Sequence, residues 1–378
     1  MPHAMVTVRR ALRVVVWVAL AIALPCAGTA TARARFDTRV LAHIPEPGYP
    51  ALSLVGPDGT IYVGTFENPA GDSLPSKVFA YGPHGGLERT YTVRGQDLSQ
   101  AHGVQTAAVD ARGKILLLDQ HPARVLVLNP RTGGQRTYAR FRDVPTCTAA
   151  GRTTDCSDTV MDNEPEPDYG AWGAKREGSL YVTDYLQGLI WRVPPGGGKP
   201  QVWFTDPRID GAQFGPAGIQ LLADHHTLLF DNGANGATSG LNPTTGSLWR
   251  LPIRPDGTPG TLTRVWESRP AEAPDGFAVA KSGDVYLSLV APGVNQIVEL
   301  SATGQELARY PDAVTNATLP VPFDEPSSVI YDGSRLLVTN QSFAAGDHSH
   351  MVLFDIASGE PGLPVFVPTG AGFRRSAR

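Results

Sequence analysis

The chain has 378 residues, 42% of them hydrophobic, which is enough for one large core. Lys+Arg (32) and Asp+Glu (36) nearly balance to a formal charge of −4, which excludes the basic footprint of a nucleic-acid binder or of a polybasic membrane anchor. With 41 glycines and 33 prolines, turns and short strands are favoured over long helices.

The N-terminus reads as an export signal. Arg9, Arg10 and Arg13 precede an apolar run from Val14 to Leu24, and Ala30-Thr31-Ala32 follows. This is the layout of a secretory signal peptide over residues 1–34, with cleavage after Ala32 or Ala34. The apolar run is short of the ~20 residues that span a bilayer, so the mature chain is expected to have no membrane span. Pro25 stands where a lipoprotein signal needs a small residue before Cys26. The remaining cysteines, Cys147 and Cys156, read as one disulfide in an exported chain. A loop this short would contribute about 2–3 kcal/mol in the chain-entropy picture. The Ala, Arg, Gly and Pro usage fits a GC-rich bacterial genome.

From residue 35 onward one pattern recurs six times. It begins with Pro57-Asp58-Gly59-Thr60-Ile61-Tyr62-Val63, a turn feeding an alternating strand. It returns at Asp110–Asp119, Glu177–Asp184, Asp224–Asp231, Ser282–Leu287 and Asp332–Asn340; the fourth copy lacks the turn glycine. The D-G and S-G pairs supply the positive φ of a tight hairpin, and β-branched or aromatic residues suit the strand after it. Each copy is followed by further short strands, such as Arg124–Leu128 and Leu189–Val193. A blade of this kind cannot bury both faces alone, so blades stack radially into a closed ring. The expected fold is therefore all-β, a six-bladed β-propeller of four-stranded antiparallel blades over residues 35–370. Arg35–Leu41 alternates and is expected to close the ring as the outer strand of the last blade. An insertion near 143–166 carries the disulfide, and 371–378 is a short basic tail.

Just upstream of each repeat lies a short opening stretch. Five of them are Pro50-Ala51-Leu52, Pro167-Asp168-Tyr169, Pro216-Ala217-Gly218, Pro274-Asp275-Gly276 and Pro326-Ser327-Ser328. In blade two the counterpart is read as Ala101-His102-Gly103. In a propeller the second residue of each stretch faces the axis, which places Ala51, His102, Asp168, Ala217, Asp275 and Ser327 in one ring. Two aspartates and a histidine brought together there lose solvation unless they bind something.

The opening motif, the D-G-x-[IL]-Y-V strand and Pro274-Asp275-Gly276-Phe277 resemble the senescence-marker-protein/gluconolactonase family, over roughly residues 36–368. Its members are six-bladed propellers, with the paraoxonases as distant relatives. The resemblance implies a divalent metal at the axis, usually calcium, that polarises a lactone or ester carbonyl. The family's metal-binding aspartate falls on Asp275 and its blade-three asparagine on Asp168. Its blade-one glutamate and blade-four asparagine fall on Ala51 and Ala217, which offer no side-chain ligand. A softer set of His102, Asp168 and Asp275 would suit zinc or another transition metal. His102-Gly103 and His121-Pro122 resemble a paired H-G and N-H-P motif of the paraoxonases, which implies His102 as base and His121 as relay. Asn232, Asn340 and Ser327 are further candidates for substrate contact.

The leading expectation is an exported, monomeric hydrolase of lactone or ester bonds acting on a small molecule. A non-catalytic ligand-binding or scaffold propeller, with Ala51 and Ala217 marking a lost metal site, is the alternative. A metal-free lyase or condensing enzyme resembling strictosidine synthase is the third reading. The absence of a G-x-S-x-G elbow speaks against an α/β serine hydrolase.

Overall fold

The computed structural model describes Met1 and residues 33–147, 156–157, 164–175, 178–212 and 214–373. The expected signal peptide lies outside these residues, as does much of the 143–166 insertion. Residues 34–378 form one compact unit. Within it, six four-stranded antiparallel sheets make the six blades. Five blades are consecutive meanders, and the sixth takes Thr38–His43 from the N-terminus as its outer strand against Val352–Ala357. That closure unites the two ends of the propeller chain, as the alternation of 35–41 predicts.

The inner strands are Pro50–Val55, Val104–Val109, Pro167–Trp172, Pro216–Leu221, Pro274–Val279 and Pro326–Asp332. The strands beside them are almost wholly buried. Ile115–Asp119, Leu180–Asp184 and Val285–Leu289, for example, expose no residue. Both faces of each such strand are covered by neighbouring blades, which is why they read as continuous apolar runs. The core is correspondingly divided into clusters between blades. One joins Leu116, Leu118 and Val127 of blade two to Trp172, Val182 and Trp191 of blade three.

Hydroxyls near the axis latch one blade to the next. Thr106 Oγ1 donates to Leu52 O (2.7 Å), Thr183 Oγ1 to Ala217 O (2.6 Å) and Ser288 Oγ to Ser327 O (3.0 Å). These groups satisfy backbone carbonyls where no strand partner is available. Cys147 and Cys156 form the expected disulfide, with Cα atoms 5.0 Å apart. Among the described residues no helix is long and apolar enough to cross a membrane.

Candidate active site

Backbone pairing defines the axial ring. In five blades the inner-strand proline pairs with the last residue of the adjacent strand: Pro50 with Thr65, Pro167 with Asp184, Pro216 with Asn232, Pro274 with Leu289 and Pro326 with Asn340. In blade two the residue paired with the strand end, Asp119, is Val104. The ring position is therefore Gln105, three residues after His102. Around it opens a cavity of about 440 Å³, lined among others by Ala51, Gln105, Asp168, Tyr169, Asp275, Glu325 and Ser327.

The cavity floor is built on carboxylates. Asp168 accepts a hydrogen bond from Gln105 Nε2. Asp275 Oδ1 accepts from its neighbour Gly276 N (2.9 Å) and from the hydroxyl of Tyr169 (3.0 Å), which reaches across the channel from blade three. Asp231, from the second strand of blade four, is fully buried behind the cavity lining, where the backbone N–H of Gly218 faces its carboxylate. It has room because Gly218 lacks a side chain: a Cβ there would lie 2.5 Å from Asp231 Oδ2. Burial pushes the Asp275 carboxyl up to about 7. Burial, reinforced by the Asp275 charge, raises Asp168 and Asp231 well above the usual carboxylate range. Such raised carboxyls are what burial without a cationic partner produces. Among the described residues no Lys, Arg or His lines the cavity.

Of the candidates read from sequence, Asp168, Asp275 and Ser327 are brought together at this cavity. His102 is not. Its side chain is fully buried between Gln100 O (3.1 Å from Nδ1) and Leu74 O (2.8 Å from Nε2), with Glu67 and Asp72 at 3.3 and 3.5 Å. Both ring nitrogens face oxygens of the blade-one and blade-two loops, so the set His102, Asp168 and Asp275 does not assemble. Gly103, which suggested the alignment, is needed for another reason: a Cβ there would lie 2.2 Å from the Phe66 ring. His121 Nε2 lies 3.9 Å from Glu164, outside the cavity lining. Asn340 is spent on the blade-six loop, donating to Pro322 O and His350 O and accepting from Asp324 N. Asn232 is buried, donates to Ala234 O, and does not line the cavity.

Gln105 was hidden by the alignment of blade two on His102, Asp231 by its place on a second strand, and Glu325, beside Pro326, reads from sequence only as a loop hydrogen-bonding residue. It is 2% exposed, lines the cavity and holds a left-handed backbone with φ 56°. A non-glycine residue there is strained, and such strain concentrates at functional sites. Its Oε2 accepts from Ala344 N (2.6 Å), while burial raises its pKa.

The axial donors are hard oxygens, which suits a calcium-like cation. Asp168 and Asp275 would hold it from the cavity floor, with the unpartnered Oε1 of Gln105 beside them and Asp231 behind; the oxygens of the three aspartates do not all lie within 4.8 Å of one another. The carbonyls of Ala51 and Ala217 are already taken by Ser327 Oγ and Thr183 Oγ1. Among the described residues, the acidic group whose oxygens all lie within 4.8 Å of one another is elsewhere, at Asp284, Glu299 and Glu360. There Arg35 pairs with Glu299, and Tyr286 donates toward both glutamates, so those charges already have partners.

No family model matches the chain, and no curated protein does. Solved structures do. A calcium-binding protein, regucalcin, from Agrobacterium tumefaciens aligns with a TM-score of 0.58 at 17% identity, over 88% of this chain and 97% of that one. A gluconolactonase from Xanthomonas campestris gives 0.51 at 16%, covering 85% and 90%. A catalytically inactive virginiamycin B lyase from Staphylococcus aureus with quinupristin gives 0.51 at 16%, covering 83% and 82%. At these identities the likeness is one of fold: the chain is a six-bladed β-propeller similar to regucalcin and gluconolactonase.

Proposed function

We propose that the protein is an exported hydrolase of lactone or ester bonds, acting on a small molecule in the axial cavity with a divalent cation bound at its floor. One observation carries this reading: the buried carboxylates of Asp168 and Asp275 meet at the cavity floor beside the unpaired Oε1 of Gln105, with no basic side chain among the described lining residues. A bound cation would polarise the scissile carbonyl and lower the pKa of a water nucleophile. The chain's own residues do the rest. Gln105 holds Asp168, and the Tyr169 hydroxyl fixes Asp275. Glu325 on the wall takes the proton of the attacking water, since a carboxylate raised toward neutrality is suited to general-base work. Aromatic rings around the mouth exclude bulk water.

The similar folds of a gluconolactonase and a lyase support an enzyme, and the disulfide supports export. Export would be tested by mass spectrometry of secreted protein, which should begin after Ala32 or Ala34. The activity test is a panel of lactones and aryl esters, with calcium, zinc and manganese each supplied to chelated protein. Turnover that needs a cation and is lost in Glu325→Gln, while His102→Gln retains it, is the expected result. No turnover under any condition sinks the hydrolase. It would then favour the ligand-binding propeller, for which Ala51 and Ala217 in the ring are the specific observation.

A further inference from the structure

The walls above the carboxylate floor are a separate feature. Tyr49 stacks on Phe66 with ring centroids 5.3 Å apart and meets Phe343 edge-on at 5.2 Å. Across the cavity Tyr185 meets Phe214 edge-on at 5.8 Å. These five rings all line the cavity; four are half-buried, and Phe343 is 48% exposed. Phe214 also packs against the core between blades three and four, and the collar as a whole turns apolar surface to the cavity. Carboxylates surround them: Glu166, Glu67, Glu325 and Asp168 all act electrostatically on the Tyr49 hydroxyl. The unpartnered buried atom that lines the cavity, Gln105 Oε1, is an acceptor. A ligand that completes this cavity brings positive charge or donors, and brings apolar surface for the rings.

We infer that the axial cavity selects an organic cation, a protonated amine or quaternary ammonium on a flat apolar body, seated in the collar of Tyr49, Phe66, Phe343, Tyr185 and Phe214 beside Glu325. The chemistry is the attraction of a cation to aromatic faces, strengthened where water is excluded. An anionic ligand meets no basic side chain among the described lining residues. The inference rests on the cavity assigned above and names its substrate class; it does not require that the site be hydrolytic.

The test is calorimetric titration of the chelated full-length secreted protein with benzyltrimethylammonium. Its neutral isostere neopentylbenzene and the anion phenylmethanesulfonate are titrated in parallel. The ammonium should bind roughly tenfold or more tightly than the neutral isostere, and the sulfonate not at all. Phe343→Ala, at an exposed position where folding is not at stake, and Tyr49→Leu should each weaken the ammonium several-fold. Equal affinity for the neutral isostere, or unchanged affinity in both variants, overturns the inference. Loss of ammonium binding in excess calcium would place the probe on the floor carboxylates and overturns the collar. Because the readout is binding without turnover, a failed hydrolysis panel leaves the cation preference standing. Turnover of neutral lactones with no ammonium binding removes the preference alone.

Discussion

The two mouths of the central channel are built from the same six inner strands and have opposite chemistry. At the start of those strands lie Asp168, Asp275, Gln105 and Ser327, with raised carboxyls and an unpaired acceptor. At their far ends lie Leu54, Val109, Phe277, Val279 and Ile330, around an apolar cavity of about 450 Å³. Tyr169 lies between, lining cavities on both sides. The C-terminal segment crosses the apolar mouth. Leu363 N donates to Val279 O in blade five, Pro368 lies against Gly178 of blade three, and Ala111 N of blade two donates to Ala371 O. Phe373 then meets Tyr138 edge-on at 5.1 Å. The residues read from sequence as a tail from 371 thus begin within this strap. One mouth is covered by the C-terminal strap, while the other leaves a buried acceptor, Gln105 Oε1, open to a ligand or an ordered water.

Ending the chain after Gly362 should break this contrast most strongly. It uncovers the apolar mouth and should cost on the order of 3 kcal/mol, from a few partly buried side chains. Chemical denaturation would measure it, with ligand binding at the acidic mouth retained; unchanged stability would mean that the strap seals nothing. Saturating calcium, at about 100-fold over its Kd, should raise the stability of chelated wild-type protein by about 2–3 kcal/mol. Asp231→Asn should lose that response, and an equal rise in the variant would remove Asp231 from the cation site.

A pH series separates floor from scaffold. Burial pushes Asp119 and Asp184 each up to about 6 from 3.8. The folded state therefore binds their protons more tightly than the unfolded chain does. Their contribution is fully present below about pH 4 and is lost as pH rises through about 6. Asp184→Asn should flatten the melting profile in that window by roughly 1–3 kcal/mol; an unaltered slope would assign the pH dependence to other groups. The smallest effect expected is for Tyr169→Phe, which loses the bond to Asp275 and about 1 kcal/mol. Thermal melts of the variant beside wild type would register it. A variant as stable as wild type would deny that this bond braces the floor.

The fold was legible because turn chemistry and strand alternation are local and repeat. Asp58-Gly59, Ser282-Gly283 and Asp332-Gly333 mark hairpins wherever they occur, and the alternation of 35–41 placed the closing strand. Half of the site was legible for the same reason, since the proline that opens Pro167-Asp168 and Pro274-Asp275 gives their register directly. Blade two has no such proline, and Gly103 drew the alignment to His102. Its glycine answers to the Phe66 ring, and the pairing of Val104 with Asp119 hands the axis to Gln105.

By itself, then, the chain's local pattern determined six blades, their order, the closure and two axial aspartates. Tertiary packing alone decided the rest. Asp231 reaches the axis from a second strand only through the space left by Gly218, and Glu325 turns inward by a left-handed backbone. The aromatic collar gathers rings from blades one, three, four and six. Such convergence depends on distances between residues far apart in the chain, which no local periodicity encodes.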